Sequence, residues 1–270
     1  MTATQRRLEL AVVPLRASWR AGVGWSLAFV LMVVGTVAFW PAFQSSSGIM
    51  DALDQVPPAL LEAFGLEDFA SAAGYLKGGL YDMVIPLMFA AAGVMLASSA
   101  TAAEEDSGRL ELWLTQPVTR PAVLSGRIVA VLAWLAVLAL VTLISQLASD
   151  AAFGLEIANE RIAATVTLCA LLGALYAGLA IAVAGIIGRP GPVLSTGLGL
   201  ALVGCLVAAL FPLSDTLDAW AWLSPWDWAL GGDPLSNPSE AWRYLALVAT
   251  TAALLVLGVV AFARRDVRAA

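Results

Sequence analysis

Long apolar stretches recur along this chain and are separated by shorter polar segments. Six of the stretches contain 19 to 26 residues, and about 20 consecutive apolar residues suffice to cross a bilayer as a helix. They lie at about residues 25–43, 81–100, 128–148, 162–187, 192–213 and 244–263. The pattern predicts an all-α membrane protein whose six transmembrane helices form a single domain over residues 1–270.

Basic residues are distributed unevenly around the predicted spans. Six spans put both termini on one side, and 11 of the 14 Lys and Arg residues fall on that side. Because cytoplasmic loops are enriched in Lys and Arg, we predict that both termini are cytoplasmic. Most acidic residues fall outside, so the net charge of −6 gives no indication of nucleic-acid binding. Arg outnumbers Lys 13 to 1 amid abundant Ala and Gly, which indicates a GC-rich bacterial genome and hence a bacterial plasma (inner) membrane.

Two helices are predicted outside the spans from local signals. Residues 5–20 have the apolar periodicity of an amphipathic helix at the cytoplasmic interface, and Pro14 is expected to bend or interrupt it. Its apolar positions are Leu8, Val12, Leu15 and Trp19. Residues 58–65 have Pro near their start and Gly at their end, which predicts a short helix on the outer side.

The spans contain almost no charge, and only Asp82 lies within one of them, near its outer end. A buried charge in a bilayer is usually kept for function, so Asp82 is a candidate for a transport role or else an interfacial residue. Small residues recur every four positions in the fourth and fifth spans, which indicates close helix packing, within the chain or between two copies. They are Ala170, Ala174, Gly178 and Ala182, and then Gly197, Ala201, Cys205 and Ala209.

The loop between the second and third spans is the most specific stretch of the sequence. Thr101 and Glu104 have the spacing of a capping box, and Glu105 and Asp106 add negative charge where a helix N-terminus favours it. Pro117 ends the predicted element. A capped helix with exposed apolar residues suits either a docking surface for another protein or a linker on the membrane surface.

This loop resembles the cytoplasmic loop of the ATP-binding-cassette (ABC) type-2 exporter permeases. The similarity lies in Glu104-Glu105-x-x-Gly108-x-Leu110-Glu111-x-x-Leu114-x-x-Pro117-Val118-x-Arg120, continuing to Gly126-Arg127. The order of the other elements extends it over nearly the whole chain, with Leu223-Ser-Pro-Trp226 before the last span and Arg264-Arg-Asp266 after it. The resemblance implies a coupling helix at residues 101–117 and short outer re-entrant helices at 214–240. It also implies contacts to an ABC ATPase subunit at Glu104, Glu105, Gly108, Leu110, Glu111 and Leu114.

The same resemblance implies a permease subunit that pairs with a second copy or a related permease and exports a hydrophobic or amphipathic substrate. The sequence contains no phosphate-binding Gly-x-x-x-x-Gly-Lys motif, and its single Lys is Lys77. We therefore expect no enzyme activity, catalytic residue, metal or cofactor on this chain, with Mg-ATP bound by the partner ATPase. An alternative is a membrane scaffold or assembly factor that docks a cytoplasmic partner. A passive channel would need a polar stripe along several spans, which the sequence lacks.

Four Trp residues between positions 220 and 228 mark the outer segment 214–240. Trp is enriched at the headgroup level of membranes, so interfacial anchoring is the first interpretation. Contact with an amphipathic substrate is the second. Cys169 and Cys205 lie within spans, where we interpret them as small packing residues.

Overall fold

The computed structural model describes residues 3–45, 71–109 and 118–265. In these ranges the chain is helical and contains no β-strand, which confirms the all-α fold class. The α-helices are α1 (Ala3–Ala17), α2 (Trp19–Ala38), α3 (Trp40–Gln44), α4 (Ala72–Leu76), α5 (Val84–Ala100), α6 (Ala102–Asp106), α7 (Arg120–Phe153), α8 (Asn159–Ile187), α9 (Pro190–Leu210), α10 (Asp215–Asp218), α11 (Pro225–Leu230) and α12 (Ala241–Arg264). The helix predicted at residues 58–65 lies outside the described ranges.

Six helical segments of the described chain are long and apolar enough to cross a membrane, which confirms the six predicted spans. They are Trp19–Gln44, Ala72–Asp106, Arg120–Phe153, Asn159–Ile187, Pro190–Leu213 and Ala241–Arg264. The third segment, α7, has 34 residues and is about 51 Å long at 1.5 Å per residue. It therefore exceeds a hydrocarbon core of about 30 Å and extends beyond it. We call the ends near residues 101–127 and 264–265 inner, following the predicted orientation.

The N-terminal helix α1 packs along the inner part of α7. Leu10 is buried there, and a Cβ added at Gly126 would lie 2.4 Å from the Leu10 carbonyl oxygen, so the two helices touch through backbone. The Trp134 indole donates to the Leu15 carbonyl at 3.2 Å. Pro14 does not interrupt α1, which continues to Ala17. A single residue, Ser18, separates it from α2.

Helix α8 lies at the centre of the bundle, and it and the second span are the two most buried of the described spans. Its contact with α5 is so close that a Cβ at Gly93 would lie 2.4 Å from the Gly173 carbonyl oxygen. The contact with α12 repeats this arrangement, since a Cβ at Gly185 would lie 2.5 Å from the Gly258 carbonyl oxygen. Glycine at these crossings lets the helix backbones touch, which favours association in lipid.

The predicted stripes of small residues serve mainly as contacts within the chain. On α8, Gly178 faces Leu254 of α12, where an added Cβ would lie at 3.4 Å. On α9, Gly197 faces Val94 of α5, where an added Cβ would lie at 2.7 Å. Ala209, at the end of the second stripe, is exposed. Cys169 and Cys205 are buried free thiols within the bundle, as expected of packing residues.

The outer segment between the fifth and sixth spans forms short helices. Phe211–Leu213 and Ala221–Leu223 are 3₁₀ turns, and α10 and α11 are α-helical. Ser224 begins α11 and accepts a hydrogen bond from the Trp226 backbone N–H at 3.1 Å. Trp226 is 2% exposed, whereas Trp220 is 55% exposed, so the Trp cluster divides between the bundle interior and its surface.

An arginine joins this segment to the last span. The Arg243 guanidinium donates to the Asp227 carbonyl oxygen at 2.7 Å. Burial raises the pKa of the Asp227 carboxyl above its ordinary value of 3.8; the Arg243 charge opposes this shift, and the nearby Asp218 adds to it. The outer segment is thus fixed to α12 by an interaction that involves charge as well as packing.

Candidate functional site

The loop helix α6 follows directly from the second span. The Thr101 hydroxyl donates to the Ala97 carbonyl at 2.6 Å and makes no cap to α6. The predicted capping box is therefore wrong, because the Thr101 hydroxyl bonds to the carbonyl one turn earlier and Glu104 has a distant partner. After Asp106, Gly108 adopts a φ of +72°, a left-handed conformation that glycine adopts without steric cost.

The partner of Glu104 is Arg127 in the inner part of α7. The Arg127 guanidinium donates to the Glu104 carboxylate, and the two side chains are 2% and 12% exposed. Separating a buried ion pair leaves uncompensated charges in a medium that solvates them poorly. This pair therefore fixes α6 against the third span.

The neighbouring carboxylate, Glu105, binds a different span. The Arg265 guanidinium, one residue beyond α12, donates to it at 2.5 Å, and both side chains are largely buried. Arg120 at the start of α7 donates to the Arg265 carbonyl oxygen at 2.6 Å. Two adjacent carboxylates of α6 thus connect it to the third and sixth spans. We call Glu104, Glu105, Arg120, Arg127 and Arg265 the inner ion-pair cluster.

A small cavity of about 10 Å³ borders this cluster. Its walls include Glu105 and Arg127, with Ala184 of α8 and Phe262 of α12. Within the part of the chain that the structure describes, Glu105 Oε1, Arg127 Nη1 and Arg265 Nε are buried without a hydrogen-bond partner. The cluster therefore borders the central helix α8 and retains hydrogen-bonding capacity beyond its two ion pairs.

The structure places three of the six residues predicted to contact an ATPase. Glu104 and Glu105 lie together in the cluster, with their carboxylates directed at arginines of the same chain, and Gly108 follows two residues after α6. Asp106, Ser107 and Arg109 are the exposed residues of this turn. The remaining predicted residues lie outside the described ranges, and they are Leu110, Glu111 and Leu114.

Sequence reasoning missed the arginines of the cluster as site residues. Arg120, Arg127 and Arg265 contributed to the count that predicts the orientation and to the motifs of the family resemblance, but no contact within the chain was predicted for them. Arg127 carried a usable signal, because it stands seven residues into a helix that then runs into an apolar span. A charge at that position is expected to find a partner within the protein.

Asp82 lies at the opposite end of the second span. It follows a π-helical turn at Lys77–Tyr81, and irregular turns of this kind are frequent at functional sites. The Lys77 ammonium pairs with Asp233 at 3.3 Å, whereas Asp82 is exposed and makes no ion pair within the described ranges. Asp82 therefore lies near an ion pair that joins the second span to the outer segment.

Comparison with known proteins places the chain in a transport family. A family model described as "Multidrug efflux system permease Rv1217c, C-terminal domain" matches residues 11–263. This range includes the six spans except for the last residue of the sixth, and every member of the inner ion-pair cluster except Arg265. A comparison with curated proteins found no match. Since the family model covers nearly the whole chain, this multi-pass membrane protein belongs to the family of multidrug efflux system permeases described by the Rv1217c C-terminal domain.

Proposed function

We propose that this chain is the permease subunit of an ATP-driven ABC exporter. It pairs with a second copy or a related permease and moves a hydrophobic or amphipathic substrate. A separate ATPase subunit binds Mg-ATP and acts on the cytoplasmic face. The family supports transport and efflux, and the resemblance of residues 101–117 to the loop of type-2 exporter permeases supports the ATPase partner.

The inner ion-pair cluster is the observation that carries this proposal. Helix α6 is joined to α5 by the single residue Thr101, to α7 through Glu104 and to α12 through Glu105. A partner that displaces α6 therefore acts on three spans together, because separating either buried pair would cost several kcal/mol. A displacement of α6 would therefore be transmitted to α5, α7 and α12.

This arrangement favours the exporter over the scaffold that the sequence left open. A scaffold needs a docking surface, but it gains nothing from buried ion pairs that connect that surface to distant spans. In the exporter, closure of the ATPases around ATP would bind one position of α6 more tightly than another. Such a difference in binding free energy shifts the population of bundle conformations.

Co-purification and ATPase assays test this proposal. The tagged chain is solubilised gently from its native cell, stoichiometric partners are identified by mass spectrometry, and vanadate-sensitive hydrolysis is measured. We expect one ATPase per permease chain. Arg127→Gln should reduce substrate-stimulated hydrolysis at least tenfold while the complex stays assembled. Arg189→Gln is the matched control, because Arg189 is exposed at an inner end and makes no ion pair within the described ranges.

Two results would count against the exporter. A stable complex that contains no ATPase would favour the scaffold. An assembled complex in which Arg127→Gln and Arg189→Gln hydrolyse ATP as fast as the unchanged protein would remove the role of the cluster in coupling.

A further inference from the structure

A groove of about 360 Å³ opens between α8, α9, α12 and the outer segment. It runs from Leu179 and Leu254, near the middle of their spans, to Phe211 at the outer end of α9. Small-molecule sites in proteins usually have volumes of about 300 to 1,000 Å³, so the groove is large enough for a compact ligand. Val203 on its wall is 53% exposed, which shows that the groove is accessible from the side of the bundle.

Among the residues that the structure describes, the walls of the groove carry no charged side chain and only two hydroxyl groups. Ser224 is already engaged, because it donates to the Gly204 carbonyl at 2.7 Å and accepts from the Trp226 backbone. The Tyr176 hydroxyl makes only a weak hydrogen bond, since it lies 3.4 Å from the Leu200 carbonyl oxygen, near the limit of a hydrogen bond. The Tyr176 hydroxyl is thus available to bond a ligand.

The wall around Tyr176 depends on the absence of a side chain at Gly204. A Cβ at Gly204 would lie 2.7 Å from the Tyr176 hydroxyl and 3.5 Å from the Ser224 hydroxyl. The buried Trp226 ring supports Tyr176 from behind, with 5.8 Å between ring centroids. The hydroxyl is therefore held in place by packing from α9 and from the outer segment.

We propose that this groove binds an uncharged, largely apolar small molecule that carries one hydrogen-bonding group for Tyr176. The proposal rests on the proposed function and names the substrate class of the exporter. The uncharged walls disfavour an ionic ligand, since a charge placed there would lose its hydration without gaining a partner. The ligand would enter from the bilayer, where apolar molecules concentrate.

A compact ligand fits the groove better than two other occupants. An acyl chain would offer the Tyr176 hydroxyl no hydrogen bond beyond the long one to the Leu200 carbonyl. A second copy of this chain has a more suitable contact in the exposed apolar face of α9, where Leu202 is 51% and Leu206 47% exposed. At 100° per residue, Leu202 on that face lies about 100° from Val203 and about 140° from Val207 around the helix, so its side chain does not line the groove.

Binding of N-phenyl-1-naphthylamine tests the proposal on the purified permease in lipid nanodiscs. This fluorescent probe is uncharged and apolar, and it has one N–H group. Val203→Trp fills the groove and should weaken binding at least tenfold. Leu202→Trp adds the same bulk about 100° around α9 from Val203, outside the groove lining, and should leave affinity unchanged. Tyr176→Phe should weaken binding about three- to tenfold, which corresponds to one hydrogen bond.

Charge selectivity is tested by competition with tetraphenylphosphonium, which we expect not to displace the probe. Unchanged secondary structure and melting temperature establish that each variant is folded. Equal probe affinity in Val203→Trp and the unchanged protein would overturn the proposal, as would displacement by the cation. Phospholipid bound to the unchanged protein and lost from Val203→Trp, without an effect on the probe, would assign the groove to an acyl chain.

A dimer broken by Val203→Trp but not by Leu202→Trp would assign the groove to a second copy and would also overturn the proposal. The probe assay uses no ATPase, so its result is separate from the test of the proposed function. Probe binding in a protein without an ATPase partner would support the groove and contradict the exporter. An ATPase partner in a protein that does not bind the probe would support the exporter and overturn the proposal for the groove.

Discussion

Removing one partner of the ion pair between Glu104 and Arg127 should destabilise the protein more than removing one partner of any exposed pair in the described chain. The Arg127 side chain is 2% exposed and that of Glu104 is 12% exposed, so neither charge is well hydrated. Arg127→Met removes the cation and leaves the carboxylate largely buried and unpaired. For pairs this buried, removing one partner costs about 3 to 5 kcal/mol in free energy of unfolding.

The double variant Arg127→Met with Glu104→Met separates the ion pair from other effects of Arg127. It replaces both charges with apolar groups, a change that is often neutral when the pair was buried. We therefore expect the double variant to recover most of the loss, with a coupling energy of about 2 kcal/mol or more between the two sites. Unfolding in mixed micelles, followed by tryptophan fluorescence, measures all four proteins. A loss below about 1 kcal/mol for Arg127→Met, with no coupling, would refute the reasoning.

Three further predictions concern the bundle and its outer end. Gly93→Ala should destabilise the protein by about 1 to 3 kcal/mol, because the new Cβ would lie 2.4 Å from the Gly173 carbonyl oxygen. Gly24→Ala is the control in the same unfolding assay, because a Cβ there would have no atom within 4 Å. Lys77→Met should change the free energy of unfolding by no more than about 1 kcal/mol, since the Lys77 side chain is 39% exposed. A larger loss would show that water does not weaken its ion pair with Asp233. The raised pKa of Asp227 means that the folded state binds this proton more tightly, so stability should fall as the pH rises from 3.8 through the higher folded-state value; Asp227→Asn should flatten that dependence in a pH series of melting curves.

The spans were predictable because each depends mainly on its own residues. A contiguous apolar segment partitions into the bilayer whatever its neighbours are, so hydropathy located all six. The second span shows where this reasoning fails. Its apolar run starts near Tyr81, but α4 and the π-helical turn extend the helical segment back to Ala72 through Lys77 and three glycines. Packing against the bundle, rather than local apolarity, decides that boundary.

The candidate site was only half predictable. The acidic loop residues stood out locally, but a sequence pattern cannot show whether a carboxylate caps its own helix or reaches another span. Glu104 pairs with a residue 23 positions away and Glu105 with one 160 positions away. Ordinary capping contributes about 1 kcal/mol, whereas leaving a buried Arg127 unpaired would cost several times more. Glu104 therefore pairs with Arg127 instead of capping its own helix.

The sequence by itself determined the class of the protein, the number of spans and the distribution of charge that predicts their orientation. These follow from the transfer of each segment between water and lipid, which is a local property. The tertiary structure alone decided which glycines form the helix crossings, which arginines hold α6, and that a groove remains beside Tyr176. Those features depend on how each helix is rotated and where it crosses its neighbours, and the rotation is set by the packing of all the spans together.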